Sequence, residues 1–236
     1  MCMSPKVNSS DCTRFYDASL ECGWQRPPHG VSNLGESTMS LRKLFVSVLV
    51  FGSGAAALAE PRRVESAVFE QQQVVAGQAL QLNGAGVRKK LFIKVYAAAL
   101  YTPKPIRQVA QVWDSPGPKR LKVVALREID AASLGKAMSQ TMSDNLPKER
   151  MGACIPGLIK LSDVFSQKKR MVVGDSFSLD DIPGQGTVVS INEQQAAVIE
   201  GSAFFGCLMY NYFGERPADA ALKQALLEPE AGATAK

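Results

Sequence analysis

Short runs of alternating apolar and polar residues open the folded part of the chain. Residues 74–82 alternate around Gly77, which predicts a short hairpin or a bent strand. The glycine-containing cluster at residues 83–86 predicts a turn. Residues 91–101 then form a nearly uninterrupted apolar run, which predicts a central strand, and residues 121–129 predict another strand.

Apolar residues at helical spacing follow, in the middle of the chain and again near its end. Asp130 stands directly before the first of these stretches, where its carboxylate can cap the amides of a first helical turn. Pro156 predicts that the second helix is bent or interrupted. The helices are expected over residues 131–145, 147–167, 202–212 and 217–227.

A meander of short strands lies between the two helical regions. Its strands are expected over residues 170–173, 176–180, 187–191 and 196–200. The Gly184–Gly186 connection lacks the Lys-Ser/Thr pair of a phosphate-binding loop. This order of elements predicts an α+β domain in which a layer of helices packs on one face of a mostly antiparallel sheet, as an open-faced sandwich.

The N-terminal region carries the features of an export signal. Met39 is followed by Arg42 and Lys43, then by an apolar stretch at residues 44–51 and by small residues up to Ala59. This pattern is typical of a secretory signal peptide, and the apolar stretch is too short for a permanent membrane anchor. We therefore expect a periplasmic or secreted protein, cleaved near Ala59 and without a transmembrane anchor.

The signal divides the chain into four segments. Residues 1–38 are interpreted as an over-extended translation start, with a disordered N-terminal extension as the alternative. The signal peptide covers residues 39–59, the folded domain residues 60–227, and a flexible tail residues 228–236. Cleavage would also remove His29, the one histidine of the chain. The mature protein would then have no histidine for catalysis or for metal binding.

Composition narrows the range of partners. The chain has 236 residues, 46% of them hydrophobic and 21% charged, as in a soluble globular domain. Its net charge of +5 is scattered over short basic runs without aromatic interleaving. Nucleic acid is therefore not expected as a partner. We expect neither a cofactor nor a metal.

Four stretches, taken in order, resemble the chalcone isomerase family. They are LNGAGVRKKLFIKVYAAALY at residues 82–101, LREI at 126–129, GDSFSLDDIPGQGT at 174–187 and VIEGSAFFGCLMYNYFG at 198–214. The likeness extends from about residue 74 to residue 227, and it is greatest to the bacterial, secreted branch of chalcone isomerase-like proteins. It implies the chalcone isomerase fold.

The resemblance also implies a ligand site, with no catalytic residue assigned. Arg88 falls at the family's arginine, Tyr96 at the threonine of the plant enzymes, and Thr141 and Asn211 near positions that contact the substrate ring. Leu134 falls where the family has its catalytic tyrosine, and its side chain cannot donate a hydrogen bond. The plainer alternatives are a solvated charge for Arg88 and a core aromatic for Tyr96.

These residues favour a binding protein over an enzyme. A guanidinium beside apolar side chains suits a carboxylate or a polarised carbonyl. Within the family, the fatty-acid-binding members use their arginine in this way. We expect a small hydrophobic or fatty-acid-like ligand bound without chalcone isomerase turnover. The alternatives are an isomerase, or intramolecular lyase, acting on an enone or flavonoid-like substrate, and a structural role in the envelope.

Two cysteines, Cys154 and Cys207, would remain after cleavage. Both lie in apolar helical stretches, where an unpaired cysteine commonly serves as a small core residue. We expect two thiols, with a disulfide as the alternative in an oxidising compartment.

Overall fold

The computed structural model of the chain describes residues 60–229, so the upstream segment, the signal peptide and most of the tail lie outside the described residues. The strands are β1 (Arg62–Val64), β2 (Ala67–Phe69), β3 (Gln72–Val75), β4 (Gln78–Lys90), β5 (Ile93–Thr102), β6 (Lys119–Ala125), β7 (Ile129–Asp130), β8 (Arg170–Met171), β9 (Ser176–Ile182), β10 (Gly186–Ile191) and β11 (Gln194–Glu200). The helices are α1 (Val109–Asp114), α2 (Ala131–Asn145), α3 (Lys148–Lys168), α4 (Ala203–Phe213) and α5 (Ala220–Leu226).

One seven-stranded sheet forms the centre of the domain, in the order β11-β10-β9-β6-β5-β4-β3. Every neighbouring pair in it is antiparallel. Strand β5 lies inside the sheet between β4 and β6, as its apolar sequence predicted. The α+β class and the antiparallel sheet are confirmed. Strands β1 and β2, and β7 and β8, form two separate two-stranded ribbons.

Alternate side chains of β5 enter two different cores, because successive residues of a strand point to opposite faces. Tyr96 and Leu100 belong to the larger core, which the helices cover. Ala97 and Tyr101 belong to a second core that includes Phe69 of β2. The predicted helical layer is therefore present on one face, and the β1–β2 ribbon covers part of the other.

Helix α2 has the bounds that the sequence predicted, and Asp130 caps it by accepting a hydrogen bond from the Ser133 amide at 2.8 Å. Helix α3 continues through Pro156, so it is not interrupted there, which was one of the two predicted outcomes. Cys154 before the proline and Leu161 after it are both buried, so packing on both sides holds the helix together. Among the described residues, no helix is both long and apolar enough to cross a bilayer.

The predicted turn at residues 83–86 is wrong, because these residues lie inside β4. Their glycines serve packing instead. A Cβ atom at Gly84 would overlap the carbonyl oxygen of Ala225, and one at Gly86 would overlap the Ala225 side chain. The absence of side chains at Gly84 and Gly86 therefore lets helix α5 lie directly against the strand.

The expectation of two thiols is also wrong. Cys154 of α3 and Cys207 of α4 form a disulfide, with Cα atoms 6.1 Å apart. Sequence periodicity placed both residues in helices but gave no information on how the helices pack against each other. By the chain-entropy model, closing a loop of this length stabilises the fold by about 4 kcal/mol.

Candidate functional site

A small cavity lies between the helix-facing side of β4 and β5 and the helices α2 and α4. Its volume is about 10 Å³, which is room for roughly one water molecule. All four ligand-binding residues predicted from the sequence line it together. The lining residues are Arg88, Tyr96, Leu134, Ala137, Met138, Thr141, Asn211, Tyr212 and Ala218.

The sheet contributes Arg88 and Tyr96, which are directly paired across β4 and β5. The Arg88 guanidinium carbon lies 5.6 Å from the centre of the Tyr96 ring, a cation–π contact. The β4–β5 register shifts between Arg88 and Lys89. The irregularity lies in the hairpin segment, residues 89–95, that joins Arg88 to Tyr96.

The positive charge of Arg88 has no counter-ion among the described residues. Its Nε atom is buried and has no hydrogen-bond partner. The carboxylate of Asp219 is engaged elsewhere, because it accepts from the Lys89 amide at 2.8 Å and caps α5. A buried donor without a partner is unfavourable, and more so when it is charged. The geometry therefore favours an anionic group or a water molecule bound to Arg88 inside the cavity, and it disfavours the alternative in which Arg88 is an ordinary surface charge.

Helix α2 contributes one stripe of side chains at positions i, i+3, i+4 and i+7, which share a face. Leu134 and Met138 are the buried apolar members of this stripe. Thr141 already donates its hydroxyl proton to the Ala137 carbonyl, with the oxygens 3.0 Å apart. The stripe therefore provides an apolar wall and a hydroxyl that is left as an acceptor.

Helix α4 contributes Asn211 and Tyr212, which are 1% and 2% exposed. The Asn211 amide donates to the Leu208 carbonyl at 3.1 Å, but its oxygen has no partner. The Tyr212 hydroxyl makes no hydrogen bond of normal geometry, although the Tyr96 phenol lies close enough to interact with it. Sequence reasoning gave Tyr212 no role. The available signal was a residue with a polar tip in an otherwise apolar helix, directly after a predicted site residue.

Both tyrosines of the cavity stay protonated at neutral pH. Burial raises the pKa of Tyr96, and the nearby Arg88 charge opposes this only in part. Burial raises the pKa of Tyr212 well above its usual range, and the neighbouring Tyr96 adds to the effect. Neither phenol is therefore a candidate base near pH 7, and both are hydrogen-bond donors.

The cavity thus combines one cation, two neutral phenols and an amide oxygen with apolar walls. The cation and the two phenols are donors that can bind a carboxylate or stabilise negative charge on an enolate oxygen, whereas the amide oxygen is an acceptor. Leu134 of α2 and Tyr212 of α4 both line the cavity, so a phenol reaches this space from α4.

A larger cleft of about 520 Å³ lies elsewhere, between α1, α3 and α4, and none of the predicted site residues lines it. Trp113, Lys119, Arg150 and Asp181 are among its lining residues. Lys119 is buried and lies 3.5 Å from Asp181. Burial raises the pKa of Asp181, and the Lys119 charge opposes that rise. The Lys119 ammonium of this cleft is therefore already paired, unlike the Arg88 guanidinium.

Comparison with known proteins places the chain in one family. A family model described as chalcone isomerase-like matches residues 61–228, which is well over half of the chain. Among solved structures, a fatty-acid binding protein of Arabidopsis thaliana is similar, with 14% sequence identity and a TM-score of 0.47, over 66% of this chain and 95% of that chain. A search of curated proteins gave no match.

Proposed function

The chain belongs to the chalcone isomerase-like family, and from this premise we propose that it is an exported protein that binds a fatty acid or another small apolar acid without chalcone isomerase turnover. The observation that carries the proposal is the unpaired guanidinium of Arg88 in a cavity with apolar walls. A carboxylate at this position would satisfy Arg88 Nε and would accept hydrogen bonds from the neutral phenols of Tyr96 and Tyr212.

The apolar part of such a ligand needs more room than this small cavity offers. Ligand pockets typically enclose about 300–1,000 Å³, whereas this cavity encloses about 10 Å³. Leu134 and Met138 of α2 form the wall that must move. Methionine is flexible and repacks easily. We therefore propose that ligand entry separates α2 from the sheet and places the acyl chain along the Leu134–Met138 face.

Two features argue against chalcone cyclisation. Leu134 offers no hydroxyl at the position of the family's catalytic tyrosine. Removing one donor to a developing oxyanion costs about 3 kcal/mol, or two to three decades in rate. The raised pKa of Tyr96 and of Tyr212 also leaves neither phenol as a base to ionise a phenolic substrate.

One observation keeps an isomerase acting on a different enone as the second candidate. The Tyr212 hydroxyl is buried, has no partner and lines the same cavity as Arg88 and Tyr96. Three donors that converge on one oxygen would stabilise an enolate.

Export is proposed because the family match begins at residue 61, two positions after the expected cleavage at Ala59. A domain that starts directly after a signal peptide is the arrangement expected of a processed protein. N-terminal sequencing of the protein from the periplasm or medium should begin at Glu60. A product that retains residues 1–38 would contradict the proposal.

Native mass spectrometry of protein purified from its own host distinguishes the two candidates. A bound mass equal to a fatty acid, released on denaturation, supports the binding protein. Turnover of simple enones by ligand-free protein, at a rate lost in Arg88→Gln, supports the isomerase. Turnover of a chalcone by the wild type would contradict the absence of chalcone isomerase activity.

A further inference from the structure

The hairpin that joins β4 and β5 ends in an exposed apolar tip, formed by Leu91, Phe92 and Ile93. Their side chains are 86%, 98% and 48% exposed. Single exposed apolar residues are ordinary on protein surfaces, but a contiguous projecting group marks an interaction site.

The backbone conformation of this turn is one that its residue types rarely adopt. Leu91 has φ of 56°, a left-handed conformation that favours glycine or asparagine. Three other two-residue hairpin turns, Glu65-Ser66, Ala76-Gly77 and Asn192-Glu193, also have positive φ at their first residue, and two of the three contain a glycine or an asparagine. Backbone strain of this kind is often found at functional sites. The turn conformation therefore does not explain why leucine and phenylalanine occupy the tip.

The tip extends beyond the end of the sheet. The Val95 carbonyl of β5 accepts a hydrogen bond from the Leu126 amide, just after β6, at 3.1 Å. Phe92 lies three residues beyond Val95, which is about 10 Å of strand. Two further exposed apolar residues, Val172 and Val173, lie at this same end, because Gly174 just after them bonds to the end of β6.

Several cationic side chains lie at this same end of the sheet, together with the exposed carboxylate of Glu128, which pairs with Arg170. Lys89 and Lys90 directly precede the tip, are exposed and have no ion-pair partner among the described residues. Arg127 and Lys169, exposed and also without a carboxylate partner in the described part, lie in the segments next to the sheet end. Lys94 differs from them, because it is 2.7 Å from Glu65.

We propose that this end of the domain docks on a membrane surface that contains anionic lipids, with Leu91 and Phe92 inserted at the level of the headgroups. Apolar side chains that project between lysines fit such a surface, since the lysine stems can lie along the apolar region while their ammonium groups reach lipid phosphates. A protein partner fits less well, because a specific interface needs about 800 Å² per partner and this projection is only a hairpin turn wide. The proposal does not depend on what the Arg88 cavity binds.

The first test asks whether position 92 enters the bilayer. The processed chain that begins at Glu60, carrying Phe92→Trp, is mixed with vesicles of phosphatidylcholine and phosphatidylglycerol with brominated acyl chains. The matched control is Val74→Trp, because Val74 is 66% exposed and lies on β3, at the opposite end of β4 from the tip. The proposal predicts a blue shift and bromine quenching of the added tryptophan at 92, and neither effect at 74.

The second test uses vesicle sedimentation. Lys89→Gln with Lys90→Gln should weaken binding to the anionic vesicles about 25-fold, since each lysine near such a surface contributes about fivefold. Phe92→Ser should weaken it at least about tenfold. Lys104→Gln, an exposed lysine just beyond the other end of β5, should leave binding unchanged. Circular dichroism checks that each variant is folded.

Quenching at position 92 that requires phosphatidylglycerol supports the proposal. It is overturned if position 92 is not quenched, or if quenching is equal on vesicles of phosphatidylcholine alone. Sedimentation velocity tests the alternative that the tip contacts a second copy of this chain. A dimer that Phe92→Ser dissociates, without any vesicle binding, would assign the tip to contact with a second copy of this chain.

Discussion

Three buried polar atoms without partners define the candidate site at the scale of single residues: Arg88 Nε, Asn211 Oδ1 and the Tyr212 hydroxyl. Leaving such a group unpaired in the interior costs about 1–3 kcal/mol. A fold that retains three of them around one cavity sacrifices stability there. A carboxylate would recover that stability at Arg88 Nε and at the Tyr212 hydroxyl, whereas Asn211 Oδ1 is an acceptor and requires a donor, such as water or a ligand hydroxyl.

Tyr212→Phe tests this interpretation. Removing a buried hydroxyl that has no partner should leave the free energy of unfolding unchanged or raise it by about 1 kcal/mol. The same change should weaken binding of an apolar acid about tenfold, because a hydrogen bond to a carboxylate is lost. Chemical denaturation and calorimetry measure the two effects.

Tyr101→Phe is the matched control for that variant. The Tyr101 hydroxyl is also buried and without a partner, but its side chain belongs to the core on the opposite face of the sheet. The stability change should be similar and the affinity unchanged. Equal loss of affinity in both variants would mean that Tyr212 acts through general packing.

The sequence placed Arg88, Tyr96, Thr141 and Asn211 around one cavity, because the resemblance fixes their positions along strands and helices. Tyr212 could not be found in the same way. Consecutive helical residues point in different directions, and both Asn211 and Tyr212 reach the cavity only because of how α4 packs against α2 and the sheet. That packing is a property of the tertiary structure.

The predicted boundaries of an element agree with the structure where a capping residue and a regular apolar stripe determine them. Helix α2 begins at its Asp130 cap and carries a regular apolar stripe, so both its bounds were predicted. The glycines at 84 and 86 misled the prediction, since a glycine that permits a turn and a glycine that admits a helix look alike in sequence. The Cys154–Cys207 disulfide likewise depends on the contact between α3 and α4.

Gly84→Ala tests the packing of α5 on β4. The new methyl group would overlap the backbone of Ala225 and Leu226, so the helix must shift. Overpacking of this kind costs about 1–3 kcal/mol of unfolding free energy. The control is Gly152→Ala in α3, where a Cβ atom would meet nothing. That change should stabilise the protein by up to about 1 kcal/mol. Urea denaturation that shows equal effects for both variants would contradict the assigned role of Gly84.

The whole molecule should lose stability as the pH rises above about 10. Burial raises the pKa of Tyr96, Tyr101 and Tyr212, so the unfolded chain releases these protons at a lower pH than the folded one. Their contribution to stability is fully present below the unfolded pKa of about 10 and falls through the range above it, by about 1.4 kcal/mol per pH unit for each tyrosine. Tyr101→Phe should remove about a third of the tyrosine contribution to the loss of unfolding free energy per pH unit. Denaturation series between about pH 9 and pH 11 measure this loss. An unchanged slope would contradict the prediction.

The central claim is that the protein binds an apolar acid through Arg88, and calorimetric titration with palmitic acid tests it most directly. Arg88→Gln should reduce the affinity at least about tenfold, because a charge-assisted hydrogen bond contributes about 1.5–3 kcal/mol. It should change the free energy of unfolding by no more than about 1 kcal/mol. Arg150→Gln, which alters a cation of the larger cleft, should bind palmitic acid as the wild type does. Unchanged affinity in Arg88→Gln, or a loss confined to Arg150→Gln, would contradict the account.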